Sequence, residues 1–179
     1  MINSVCKQRG NFTVEFAIVG VFFSLLLVFS TDVIIKLSVK GKLDRMAFSA
    51  VSVIKERTQL FSESSLASLD QNTINSEASK AYSIVTASMR RTMGNFDTDK
   101  FGFVLYVRQG DSVLKNEINL GSITCSSSAP SKELSFTTTF GRDATLYQVV
   151  LCYDTDNWFG NLIGKDFSMV SSKAIIMGR

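Results

Sequence analysis

The chain has 179 residues and a formal charge of +3 that is spread rather than blocked, which argues against a nucleic-acid-binding face. Hydrophobic residues make up 45% and Phe alone contributes 14, enough for one compact core plus an anchor but not for two sizeable domains. With no His there is no Ser-His-Asp or Cys-His catalysis and no His-ligated metal site, and a single Pro with 11 Gly speaks against long disordered linkers.

The first predicted element is an apolar helix. Residues 16–31 (FAIVGVFFSLLLVFST) carry no charge, and Phe12 and Val14 extend the apolar pattern ahead of them, across Glu15. A helix crossing the hydrocarbon core needs about 20 residues, which residues 11–31 supply if Glu15 lies inside the span. A carboxylate in such a segment is costly and calls for a partner. No small-x-small cleavage site follows; Asp32, Val33, Ile34, Ile35 and Lys36 remain helix-compatible, so the segment is expected to be retained. Cys6 has no apolar lipobox before it, which argues against lipoprotein processing. Lys7 and Arg9 precede the span while Lys36, Lys40, Lys42 and Arg45 follow it, so counting positive charges does not set the orientation.

The stretch RGNFTVEF, residues 9–16, carries a family pattern: a short basic leader ending in Gly10, four residues, then Glu15, the aromatic Phe16 and an apolar helix. This resembles the class III signal of type IV pilins and pseudopilins, and most closely the TadE/TadF minor pseudopilins of the tight adherence (Flp) pilus. The resemblance implies cleavage between Gly10 and Asn11 by a prepilin peptidase on the cytoplasmic side, with Glu15 becoming the fifth mature residue. It also implies the partner of Glu15, the new α-amino group, commonly that of a neighbouring subunit. The implied orientation places the N-terminus in the cytoplasm and the C-terminal domain in the periplasm, on a single-pass inner-membrane protein. Asn11 stands where many pilins carry an apolar residue.

Beyond the span, Leu43, Met46, Ala47, Ala50, Val51, Ile54 and Phe61 recur at three- and four-residue spacing and predict an amphipathic continuation of the helix. Residues 62–75 lose that period and read as a turn region, with Asp70, Asn72 or Thr73 as candidate caps for a second helix. That helix carries Ile74, Ala78, Tyr82, Val85, Met89 and Met93 on one face and meets Gly94 at its end. From Phe101 the period becomes that of strands: residues 101–107 (FGFVLYV), 133–140 (ELSFTTTF), 145–154 (TLYQVVLCYD) and 167–177 (FSMVSSKAIIM), with turns at 109–112 and 141–143 and a Ser-rich surface loop at 126–131. The expected fold class is α+β: a long N-terminal helix, a second helix and a C-terminal antiparallel sheet. The expected division is a leader at 1–10, a transmembrane helix at 11–35, its amphipathic continuation at 36–61 and a periplasmic α+β domain at 62–179.

Candidate chemistry is sparse. Cys125 and Cys152 both fall in the part that would be exported, where an even pair reads as a disulfide; two unpaired buried thiols are the alternative. FDTDKFG at 96–102 and YDTDNWFG at 153–160 offer paired carboxylates, and Asp154 and Asp156 are weak candidates for a hard cation, but neither stretch has an EF-hand pattern and both read more simply as turns. Ser131-Lys132 and Ser171-Ser172-Lys173 read as solvated surface, not as nucleophile and base. Trp158 and Phe159 flank a turn, either as a lid over the core or as an exposed partner contact. Together these features point to a structural, non-enzymatic subunit with no cofactor. The resemblance implies the prepilin peptidase, other pilin-like subunits, the inner-membrane assembly platform and membrane lipid as partners, with no nucleic acid. A pseudopilin of a type II secretion system and a signal-anchored periplasmic enzyme or binding protein are the rival readings.

Overall fold

The computed structural model of the chain describes residues 11–61, 71–109, 112–113, 118–135, 137, 139, 141 and 143–178. Gly10, the basic leader, Asp70 and most of the turn region at 62–75 lie outside the described residues. The elements in order are α1 (Asn11–Phe61), α2 (Gln71–Thr92), β1 (Phe101–Gln109), β2 (Ser112–Val113), β3 (Ile118–Gly121), β4 (Thr145–Asp154), α3 (Trp158–Ile163) and β5 (Met169–Met177). The fold is α+β, as the pattern of periods predicts.

Helix α1 runs unbroken for 51 residues, about 75 Å at 1.5 Å per residue. Its two parts differ because their sequences differ. Through residue 31 it is apolar on every side apart from Glu15 and, except where Phe29 touches α3, lies outside the domain with its large side chains exposed. From Asp32 onward one stripe is buried: Val39, Leu43, Ala47, Ala50, Val51 and Ile54. The small residues on that stripe let α2 approach closely. Helix α2 answers with Ile74, Ala78, Ala81, Val85 and Met89, all buried. It begins at Gln71, so Asn72 and Thr73 lie within the helix and are not its N-cap. Its last turn carries Arg90 and Arg91, which suit the negative end of the helix dipole.

The sheet is antiparallel throughout, with strand order β2-β1-β4-β5 and β3 pairing the first half of β1. Strands β1 and β4 pair over their full length, from Phe101↔Tyr153 to Gln109↔Thr145. Both are buried on nearly every residue because the sheet is covered on both faces. On the front face, Phe101, Phe103, Leu105, Val107, Tyr147, Val149 and Leu151 join the stripes of α1 and α2 in the main core. On the back face, Val104, Tyr106, Val150 and Cys152 are closed over by the chain around Cys125. The edge strand β5 alternates instead, burying Val170 and Ser172 on one side.

The Ser-rich loop therefore does more than skirt the surface. Gln148, almost fully buried, donates through Nε2 to the Ser128 carbonyl at 2.8 Å, and Arg108 donates to the Pro130 carbonyl at 2.8 Å. The disulfide between Cys125 and Cys152 pins the loop to β4, as the even cysteine pair predicts. Its sequence separation of 27 corresponds to roughly 3–4 kcal/mol in the chain-entropy account.

Three expectations are corrected. The described residues of 133–140 do not form a strand: Lys132–Leu134 is a 3₁₀ turn capped by Ser131, and a Thr137↔Asp143 bridge follows. The polar run TTT has little apolar surface to bury, and Leu134 stays exposed. Ser172 is not solvated surface, since its hydroxyl is buried and donates to Asp44 Oδ1 on α1. Trp158 is not a lid over the core: it opens the short helix α3 and remains 54% exposed.

Gly102 on β1 is required by close approach. A Cβ there would stand 2.8 Å and 2.9 Å from the sulfurs of Cys152 and Cys125, and 2.5 Å from the Ile123 carbonyl oxygen. Gly102→Ala is expected to destabilise the domain by about 1–3 kcal/mol and to raise the fraction of chains with free thiols. Thermal unfolding of the full chain in detergent and thiol labelling without reductant measure the two effects.

Candidate assembly helix and the latch that docks it

The predicted site residues on α1 occupy its undocked part. Asn11 is the first described residue of the helix; Glu15 and Phe16 are exposed on it, and Phe16 stacks one turn along on Phe12 with ring centroids 6.4 Å apart. The segment contains a stretch with mean hydropathy 2.4, long and apolar enough to cross a membrane. The structure places the two cysteines at the back of the sheet and Asp154 and Asp156 in the cleft beside Asp32, seventeen residues along α1 from Glu15.

That docking point is built from residues the sequence reading does not combine. Asp32 is the first buried residue of α1 among the described residues, at 5% exposure. Lys36, one turn on, donates to Asp32 Oδ2 at 2.6 Å and reaches Asn157 Oδ1 at 3.5 Å. Asn157 sits between β4 and α3, and its amide in turn donates to the Lys165 carbonyl at 2.8 Å. Just outside this polar latch, Phe29 meets Phe159 of α3 edge-on at 4.9 Å. Further along, Lys40 donates to the Ser171 carbonyl at 3.0 Å, closing a backbone acceptor of β5. The latch follows a rule of burial: an ion pair inside a protein persists only when its remaining polar atoms are also engaged. The signal for it is the i, i+4 spacing of Asp32 and Lys36 directly after an uncharged run.

Helix α3 is short because its sequence ends it. Gly164 takes a left-handed conformation, φ 67°, and its N–H closes on the Gly160 carbonyl, which lets the chain reverse toward β5. Asp166 accepts from the Ser168 N–H at 2.9 Å. That bond holds its carboxyl below the ordinary carboxylate range, with a smaller contribution from the positive charge of Lys36. Its effect on stability is thus present above the ordinary carboxylate pKa and is lost as the pH falls through the lowered one.

Beside the latch is a cleft of about 390 Å³ lined by Asp32, Ile35, Lys42, Asp97, Lys100, Asp154, Asp156 and Trp158 among others. Asp156 pairs with Lys100 at 3.4 Å, which raises the pKa of the lysine. Asp154 Oδ1 is enclosed and has no hydrogen-bond partner among the described residues. No group of three or more His, Cys, Asp or Glu is arranged to hold a metal ion among the described residues, so Asp154 and Asp156 do not form such a group with a third ligand.

Breaking the latch from one side leaves the other charge buried. Asp32→Ala is expected to lower stability by about 3–5 kcal/mol, while Asp32→Leu combined with Lys36→Leu restores most of the loss. Urea unfolding of the full chain in detergent separates the variants.

The family model for tight adherence pilin protein F (TadF) matches residues 3–179. No curated protein and no solved structure matches the chain.

Proposed function

Because this chain belongs to the TadF family of tight adherence pilin proteins, a family of structural pilus components, we propose that it acts as a minor pseudopilin in the assembly of a Flp-type pilus. The observation that carries this reading is the division of α1 at Asp32. A helical segment whose one charge is Glu15 projects from a domain that is complete without it. A pilin-like subunit needs this arrangement, since the projecting helix serves first as a membrane anchor and then as the packing element between subunits.

In this reading a prepilin peptidase cuts between Gly10 and Asn11, and the new α-amine of Asn11 becomes the counter-charge of Glu15, within one subunit or across two. The cut places the N-terminus on the cytoplasmic side and the α+β domain in the periplasm. Other pilin-like subunits and the inner-membrane assembly platform are the partners, and the role is mechanical, not catalytic. The disulfide suits that compartment, because an oxidising environment is where such a bond forms and persists.

Cleavage and assembly depend on different residues. Gly10→Val is expected to block processing, since the peptidase accommodates only a small residue there, leaving Lys7 and Arg9 attached. Glu15→Val is expected to be cut with little loss yet to fail in piliation, because the α-amine then has no counter-charge in lipid; Glu15→Asp falls between. Immunoblots for leader loss beside a piliation assay separate the two steps. A Glu15→Val variant that is processed and piliated like the parent excludes the assembly role of Glu15.

A further inference from the structure

We propose that α3 and the turn after it form a second membrane contact, a patch seated at the hydrocarbon–headgroup boundary beside the point where α1 leaves the bilayer. The proposal rests on the reading of α1 as membrane-spanning. Trp158, Leu162, Ile163 and Phe167 are 54, 61, 50 and 53% exposed, and all four lie within one short segment. Single exposed apolar side chains are ordinary on a protein surface; several large ones gathered together mark a contact surface.

The position of the patch identifies the occupant. Phe159 of the same helix packs edge-on against Phe29, and Phe29 lies at the end of the uncharged run of α1. The last turn of the span and the first turn of α3 are therefore at the same depth. A bilayer that takes residues 11–31 to its far boundary meets α3 at that level, where Trp with its apolar ring and polar N–H is the favoured residue. Lys165 and the ionised Asp166 are both exposed in the same turn and offset each other in charge, so the apolar side chains carry the contact.

The patch is also held open. Asn157 bonds the Lys165 carbonyl, the Lys165 N–H bonds the Gly160 carbonyl at 2.9 Å, and Thr155 closes the base of the loop on the Ser168 carbonyl through its N–H and its hydroxyl. Its apolar side chains are thus presented outward by a rigid loop and do not need to be ordered when they meet lipid, which favours shallow insertion.

Trp158 is the only Trp in the chain and serves as its own probe. The full-length protein is reconstituted in phosphatidylethanolamine–phosphatidylglycerol vesicles carrying lipid brominated near the headgroup end of its acyl chains. Trp158 emission is expected to shift to the blue, to lose most of its intensity and to resist iodide. Adding Leu162→Asn with Phe167→Asn is expected to restore intensity and iodide access. A Phe22→Trp reporter in a Trp158→Phe background, read with deeply brominated lipid, checks the span independently. If the Phe22→Trp reporter is quenched while Trp158 in the parent chain stays bright and iodide-accessible, the patch does not touch lipid and the proposal fails. Shielding of Trp158 only in native membranes, and not in these vesicles, identifies a protein partner and equally overturns it. If neither indole is quenched, the membrane-spanning reading of α1 has failed, and the patch proposal fails with it.

Discussion

The salt bridge of Asp32 with Lys36 stands where one continuous helix changes its surroundings, and the packing of the domain depends on where that change falls. Ahead of it α1 carries Glu15 as its one charge among the described residues and meets the domain through Phe29. Behind it the buried stripe starts at Val39 and repeats through Ile54. A carboxylate carried into hydrocarbon costs about 2.5–3.5 kcal/mol on insertion scales, so Asp32 resists being drawn deeper. Buried alone it would be nearly as unfavourable. Lys36 neutralises it one turn later, and Asn157 fixes the lysine against the loop before α3. The helix consequently docks in one register. Shifting it by a residue would rotate the stripe of Leu43, Ala47 and Val51 by about 100° away from the sheet.

Once α1 and α2 cover the front of the sheet, the back must be covered by something else, because β1 and β4 carry apolar side chains on both faces. There is no third large helix among the described residues to do it. The chain between β3 and β4 crosses the back instead, and since the described residues there that cover the back, 122–131, lie in neither helix nor strand, their polar groups need individual partners. Gln148, Arg108 and Tyr106 supply them to Ser128, Pro130 and Ser127, at 2.8 Å, 2.8 Å and 2.9 Å. The disulfide then makes the arrangement hard to undo, and the absence of a Cβ at residue 102 makes room for it.

Elements whose burial follows one repeating period are legible in the sequence. The stripes of α1 and α2 and the strands at 101–109, 145–154 and 169–177 all bury residues at helical or strand spacing against a single large partner. Residues 133–140 alternate in the same way, yet their described residues contribute only to the 3₁₀ turn at Lys132–Leu134 and the Thr137↔Asp143 bridge. Periodicity records the capacity to pair, not a partner. Helix α3 escapes the sequence reading for the opposite reason. It is a six-residue helix whose apolar residues other than Phe159 face outward, so burial leaves no period to read. The latch depends on Asn157, 121 positions from Lys36, and spacing along one helix shows only its local half. The cysteine pair is legible because compartment and parity restrict thiols more tightly than packing does.

The place of Glu15 along α1 bears on when its charge matters. At 1.5 Å per residue, Asn11 and Glu15 are only about 6 Å apart along the axis, so a span that starts at Asn11 holds Glu15 near one boundary and far from the bilayer centre. Near a boundary a carboxylate retains water through local thinning and through its own reach toward the headgroups, and the cost falls well below the mid-membrane figure. In the proposed membrane-spanning state a single subunit therefore tolerates Glu15. In the proposed assembly, packing helices side by side removes that water, and the same carboxylate then needs a cation within hydrogen-bonding reach. The domain end of the span is fixed differently, by the burial of Asp32 and the contact of Phe29 with Phe159, neither of which requires a second subunit. On the proposed reading, the domain end of the anchor is fixed by contacts within one chain, and the stricter demand at Glu15 arises when helices pack together.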